Sequence, residues 1–350
     1  MDQTISLTEK SLISTDLYLK FTINLPSLPY VNFILQSSLL PGKFVQMLVI
    51  GNNYTGTSNA LNGCVNDIFN ISKTMKNMYD VRDSTIKKLS FPEGNCNIFQ
   101  EDCGKLKINY LYDVSQTGGK VDPDCLPNKQ NILNNLDYLV RNVSKFSTII
   151  IHYSDHGGQL SNISDDFEET TKDSTWIPLD FRIKGEITDD YINDSFLALL
   201  KKNVNVLIIS DCCHSGTIAD LPIISTSTGL YTKQPSTMKN FTGKNASVTP
   251  KILCISGCTD NQTSADALLP SPFNSNQKVA QGAITNALIN VLKSPAGVNQ
   301  SINSILDIIR RNLKQNDFEQ TPQLTSNIGI FNKVSTSWSV DVNLKTFLNI

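Results

Sequence analysis

Four short runs of apolar, largely β-branched residues recur along the chain: FVQMLVIG at 44–51, STIIIHYS at 147–154, VNVLIIS at 204–210 and KILCIS at 251–256. Such runs are too short to cross a bilayer and lack the alternation of a strand with one wet face. They therefore predict strands buried on both faces. Between them, apolar residues at helical spacing predict helices over 61–79, 131–143, 188–202, 282–294 and 301–315, with Thr188 as an N-cap. Shorter strands are expected near TIKKLSF at 85–91 and PQLTSN at 322–327. Buried strands alternating with helices imply an α/β fold: a mostly parallel central sheet of about six strands flanked by helices on both faces. In such sheets, chemistry gathers at the carboxyl ends of the strands.

The formal net charge is −2, and no basic tract breaks it, so nothing marks a nucleic-acid partner. No apolar run reaches membrane-spanning length, and MDQTISLTEK lacks the pattern of a secretory leader, so a cytoplasmic protein is expected. Its eight cysteines (Cys64, Cys96, Cys103, Cys125, Cys212, Cys213, Cys254 and Cys258) are then expected as free thiols. Residues 1–43 read as an irregular arm docked on the core, and 44–335 as the main domain. Within that domain, 93–127 breaks the rhythm like a surface insertion and 223–250 like a mobile loop, and 336–350 is a tail.

Two strand ends carry reactive groups. The third run ends in Asp211-Cys212-Cys213-His214-Ser215-Gly216, and the second leads through Ser154-Asp155 into His156-Gly157-Gly158. A thiol nucleophile needs an imidazole to take its proton and backbone N–H groups aimed at the developing oxyanion. His156 followed by two glycines suits that need, because glycine lets a carbonyl approach the backbone. His152, inside the strand, reads as a satisfied core histidine, and His214 as structural.

HYSDHGG followed by SDCCHSGTIADLP resembles the paired active-site motifs of the metacaspases, caspase-like cysteine peptidases of plants, fungi and protists. VIGNNYTGTSNALNGCVNDI, PLDFRIKGEITDD, ISGCTDNQTSADA, GAITNALINVL and TPQLTSN resemble further family segments in the same order, so the likeness spans roughly 44–330. It implies the caspase-like (caspase-hemoglobinase) fold and cysteine endopeptidase activity on protein or peptide substrates. The layout is closer to type I than to type II, since the gap between the catalytic parts is short. By position in the motifs, Cys213 matches the nucleophile and His156 its base, Cys212 stands where serine is usual, and Gly157 and Cys213 supply the oxyanion N–H groups.

A pocket for Lys or Arg needs buried carboxylates. The resemblance assigns that part to Asp67 and Asp211, with Cys64 and Ser154 beside them. Asp173, Asp189, Asp190 and Asp220 match positions where metacaspases bind an activating Ca²⁺, and hard oxygen ligands suit that ion. Paired acids at a helix start also have a simple explanation in the helix dipole. Family members are typically monomeric. Lys233, Lys239 and Lys244 are the candidate self-cleavage sites.

Asp155 stands where the family usually has glycine. Aspartate tolerates a left-handed backbone, and its charge beside His156 predicts an activity profile shifted to higher pH. That departure leaves one rival, a catalytically silent scaffold of the same fold that binds aggregates or partner proteins. A thiol oxidoreductase is a weaker rival, because adjacent cysteines close only a strained ring. A structural zinc lacks suitably spaced ligand pairs.

Overall fold

The computed structural model describes residues 44–90, 97–161, 172–200, 204–225, 231–233, 250–294, 296–332, 337–340 and 342–350, together with 20–21 and 33–34. The first unit, Met1–Pro41, contributes two short antiparallel strands, β1 (Lys20–Phe21) and β2 (Phe33–Ile34). The expected docking of the arm otherwise lies outside the described residues.

The second unit, Gly42–Ile350, is built on β3 (Phe44–Gly51), β7 (Phe146–Ser154), β11 (Asn205–Asp211) and β14 (Lys251–Ser256), the four apolar runs of the sequence. With β6 (Leu106–Tyr112) they form a parallel core in the order β14-β11-β7-β3-β6. Each strand feeds two apolar layers by strict alternation. Leu207 and Ile209 pack with α1 (Cys64–Met78), α4 (Ala283–Lys293) and α5 (Ile302–Gln315). Val206 and Ile208 pack with α2 (Lys129–Arg141) on the other face. Truncating one such buried isoleucine to alanine costs about 2–5 kcal/mol. Among the described residues, no helix is long and apolar enough to cross a membrane.

The sheet is wider than the expected six strands. Among the described residues it has twelve, the parallel core being extended by antiparallel β5 (Asn97–Cys103) and β4 (Thr85–Ser90) on one side. The other side adds β17 (Gln323–Ser326), β12 (Ile223–Ser225), β13 (Tyr231–Lys233), β19 (Ser337–Ser339) and β18 (Ile330–Asn332). Two smaller antiparallel sheets accompany it. One joins β8 (Gly157–Ser161), β9 (Lys172–Trp176) and β10 (Ile187–Thr188), with the short α3 (Phe181–Lys184) between the last two. The other is the hairpin of β15 (Asp266–Ser271) and β16 (Asn274–Gly282).

Residues 97–112 are thus largely sheet rather than a surface insertion. Gln100 and Asn109 are buried there and satisfy each other and Gln46 and Asn135 through side-chain amide bonds of 3.0–3.1 Å. The tail likewise belongs to the core: α6 (Leu344–Leu348) buries Leu344, Phe347 and Leu348.

The helix expected over 188–202 is a π-helical turn, Tyr191–Phe196, and a 3-10 turn, Leu197–Leu199. Of the apolar residues at helical spacing there, Ile192 and Phe196 are buried, but Leu199 faces solvent. Lys239 and Lys244 lie outside the described residues, and Lys233 stands in β13, paired with β12.

Candidate active site

Strand parity decides what meets what. On β7, Ile150, His152 and Ser154 share one face, and on β11 Leu207, Ile209 and Asp211 share the same one. Register pairs Ile209 with His152 and Asp211 with Ser154, and Ser154 with Gly51 of β3. The sheet's carboxyl edge therefore presents Ser154 and Asp211 side by side under α1 and α4. A Cβ on Gly51 would lie 2.6 Å from the carbonyl oxygen of Cys64, so that glycine lets α1 start tight against the edge.

Asp67, in the first turn of α1, is fully buried and completes the cluster. Its Oδ2 accepts from Ser154 Oγ at 2.7 Å and from the Gly282 N–H at 2.8 Å, while its buried Oδ1 has no hydrogen-bond partner. Asp211 Oδ1 accepts from Ser264 Oγ at 2.6 Å, and its Oδ2 from the Thr285 N–H at 3.0 Å and the Thr285 hydroxyl at 2.7 Å. A Cβ on Gly282 would sit 2.0 Å from Asp211 Oδ2 and 2.9 Å from Asp67 Oδ2, so both carboxyls crowd onto one glycine. Burial, and for Asp67 the neighbouring Asp211, push both acids above the usual carboxylate range. Cys64 is buried beside them, its thiol likewise pushed up by burial.

His156 turns between β7 and β8. Its Nε2 is 2.8 Å from the backbone carbonyl of Asn59, which can only accept, so Nε2 carries the proton and Nδ1 is the free base. The Tyr54 ring lies 5.1 Å away, tilted over the imidazole. The backbone N–H of His156 donates to Asp155 Oδ1 at 2.6 Å, and its carbonyl accepts from the Tyr153 hydroxyl at 3.0 Å. A base oriented by a third group is the arrangement that thiol catalysis needs.

Asp155 departs from expectation in two respects. Its backbone is not among those at positive φ. It is buried, and burial pushes its carboxyl well above the usual range, which lessens the charge it puts on His156. The physical basis for a profile shifted to higher pH is thereby weakened.

The two cysteines after β11 separate by burial. Cys212 is buried, its sulfur 3.3 Å from Ser210 Oγ, which accepts from Trp176 Nε1 at 3.2 Å. Cys213 is half-buried, with its sulfur 3.9 Å from the Ser264 carbonyl oxygen. Burial, and secondarily the charge of Asp211, push the Cys213 thiol up, so it rests protonated and depends on a base. His214 takes a left-handed φ of 54° and sends Nδ1–H to the Asp260 carbonyl at 2.6 Å, which fixes the turn.

Gly157 joins the two loops. A Cβ there would lie 1.9 Å from the Cys213 carbonyl oxygen, backbone that cannot yield without moving Cys213. Gly157→Ala is expected to cut kcat/KM by about 100-fold or more with the near-UV circular dichroism unchanged. Gly158→Ala meets side chains, Thr175 (2.8 Å), Glu186 (3.0 Å) and Ile177 (3.1 Å), rather than backbone, and should lose far less. Similar losses for the two variants would contradict this geometry.

Asp189, Asp190 and Asp220 bring carboxylate oxygens within 4.8 Å of one another, with Asp189 and Asp220 buried. Asp173 does not join that grouping but is buried on β9, next to Ser174, whose N–H donates to Asp189 Oδ2 at 2.7 Å. Converging buried carboxylates of this kind fit a hard divalent cation.

Sequence reasoning missed Asn59, whose contribution is a backbone carbonyl, and Thr285 and Gly282 at the start of α4. It also passed over Ser264 and Asp266, though both sit in or beside the quoted ISGCTDNQTSADA segment. Asp266 accepts from the Asn62 N–H at 2.7 Å and adds its charge to that of Asp67 and Asp211.

A family model described as "Caspase domain" matches residues 46–329. Metacaspase-2 of Trypanosoma brucei brucei is 32% identical over 293 residues, covering 83% of this chain and 75% of that protein. Metacaspase-5 of Trypanosoma cruzi is 30% identical over 308 residues, covering 86% and 62%. Metacaspase-1 of Yarrowia lipolytica is 28% identical over 337 residues, covering 85% and 62%.

Proposed function

Since the chain belongs to the caspase-domain family and is a cysteine-type endopeptidase, we propose that it cleaves peptide bonds after Lys or Arg with Cys213 as nucleophile and His156 as base. The observation that carries this reading is the buried pair Asp67 and Asp211, the latter only two residues before the half-buried thiol. Among the described residues, Asp67 Oδ1 lacks a hydrogen-bond partner, and the largest influences on both acids are burial, hydrogen bonds and other carboxylates. A guanidinium or ammonium entering there supplies the missing donors and relieves the repulsion of the two acids.

Cys213 Sγ attacks the scissile carbonyl carbon as its proton passes to His156 Nδ1. The oxyanion is received by the N–H groups of Gly157 and Cys213. Collapse breaks the C–N bond, and the same proton leaves with the amine. Water then hydrolyses the thioester, giving its proton to His156 and restoring the thiol. Peptides ending in Arg, Lys or Asp test the specificity; equal turnover after Asp would refute it.

The cation expected at Asp189, Asp190 and Asp220, with Asp173 alongside, is Ca²⁺; when bound it neutralises the converging carboxylates and ties their loops together. Ser174 continues from Asp189 to Thr217 Oγ1 (3.1 Å) and Asp260 Oδ1 (3.3 Å), and Asp260 holds His214 beside the nucleophile. Ca²⁺ should therefore raise both Tm and turnover in the wild type. Asp189→Asn should abolish both responses, and a persistent Ca²⁺-dependent Tm shift in that variant would count against the site. Lysines 87 and 88 on edge strand β4 disfavour strand pairing between copies and support a monomer. The same specificity would permit self-processing in 223–250.

A further inference from the structure

His152 reads from the sequence as a satisfied core histidine, and it is fully buried on β7. Its ring, however, is only half satisfied. Nε2 lies 3.0 Å from Thr285 Oγ1, whereas Nδ1 is buried without a hydrogen-bond partner. Burial keeps the imidazole neutral, its pKa pushed down to about 3.

The direction of the chain of hydrogen bonds follows from counting protons. The Thr285 hydroxyl has one, and it is given to Asp211 Oδ2 at 2.7 Å. Toward His152 the threonine oxygen can therefore only accept, so Nε2 must carry the ring's single N–H. The other tautomer would bury an unpaired N–H at Nδ1 and turn Nε2 into an acceptor that draws the Thr285 proton away from Asp211. Thr285 is also the third residue of α4, where its hydroxyl could turn from Asp211 toward a carbonyl at the helix entry. A donor at Nε2 opposes both alternatives. The other groups facing Asp211 are the acids Asp67 and Asp266, the Ser264 hydroxyl and the Cys213 thiol, none of which fixes the Thr285 rotor.

We propose that His152 is a positioning residue for the specificity pocket: acting through Thr285, it holds Asp211 as an acceptor aimed at the basic side chain of the substrate. The proposal rests on the reading of Asp67 and Asp211 as the Lys/Arg pocket. It concerns a residue that touches neither the substrate nor the reacting atoms, so it should act on KM rather than on kcat.

The test compares the full-length wild type with His152→Phe, which keeps a ring but no donor, and His152→Gln, whose amide nitrogen reaches the position of Nε2. On an arginyl fluorogenic peptide, the Phe variant is expected to raise KM about tenfold with kcat within about twofold, and the Gln variant to stay within about threefold of wild-type KM. Nitrogen-15 shifts of labelled histidine should show His152 as the Nε2–H tautomer. Wild-type KM in the Phe variant, equal KM losses in both variants, or the Nδ1–H tautomer would each overturn the proposal. If the Phe variant does not fold, the Gln variant and the tautomer decide. A wild type with no preference for Arg over Asp would instead remove the pocket reading, and this inference with it.

Discussion

Cys213→Ala is expected to abolish peptide cleavage, a loss of about 10⁴-fold or more, while Cys212→Ala retains activity within several-fold. The two thiols are adjacent in sequence, yet the fold treats them oppositely. Cys212 packs in the apolar layer under α2 and is engaged with Ser210, whereas Cys213 is half-open at the sheet edge. Removing Cys212 leaves a small void and a lost Ser210 contact, a cost in stability rather than chemistry. Both variants should be assayed at matched folded fraction. Surviving turnover in Cys213→Ala, or its loss in Cys212→Ala, would reverse the assignment.

Asp67→Asn has two expected consequences of opposite sign. Cleavage after Arg should fall about 100-fold or more, since a buried charge partner of the substrate is lost. The free protein should meanwhile become more stable at neutral pH, by on the order of 1–3 kcal/mol, because a charge buried against another acid is gone. The sign follows from linkage. The folded state holds the Asp67 proton more tightly than the unfolded chain does. Wild-type stability from this group is thus greatest below the ordinary carboxylate value and falls as pH rises from there toward the raised one. The amide of the variant has no such proton to lose, so its advantage should widen with rising pH. Thermal unfolding across pH 4–8 checks this, and a variant less stable than wild type at pH 7.5 would contradict the buried-acid account.

What the sequence disclosed depended on how each residue is satisfied. The parallel core was legible because residues such as Val206, Leu207, Ile208 and Ile209 are buried by hydrophobicity alone on both faces. Strands β5 and β6 were not, because Gln100 and Asn109 are buried by pairing their amides, and polar residues at those positions mimic a loop. The turn at 191–199 misled in the opposite sense: Leu199 fits a helical stripe but points to solvent. Cys213 and His156 were legible as motif residues, whereas the orienting Asn59 carbonyl was not, since any residue can supply a backbone oxygen. For Asp155, burial decides how far a charge read from the sequence persists in the folded protein, and burial is not written in the motif.

The central claim, that Cys213 is the nucleophile served by an acidic specificity pocket, is tested most directly by covalent labelling. The full chain, reduced and supplied with Ca²⁺, would be treated with peptidyl chloromethyl ketones ending in Arg or in Asp, and the adducts located by mass spectrometry. The arginyl reagent should alkylate Cys213 alone, and the aspartyl reagent should leave it free. Alkylation of Cys212 or Cys64 in its place, or equal labelling of Cys213 by both reagents, would contradict the account.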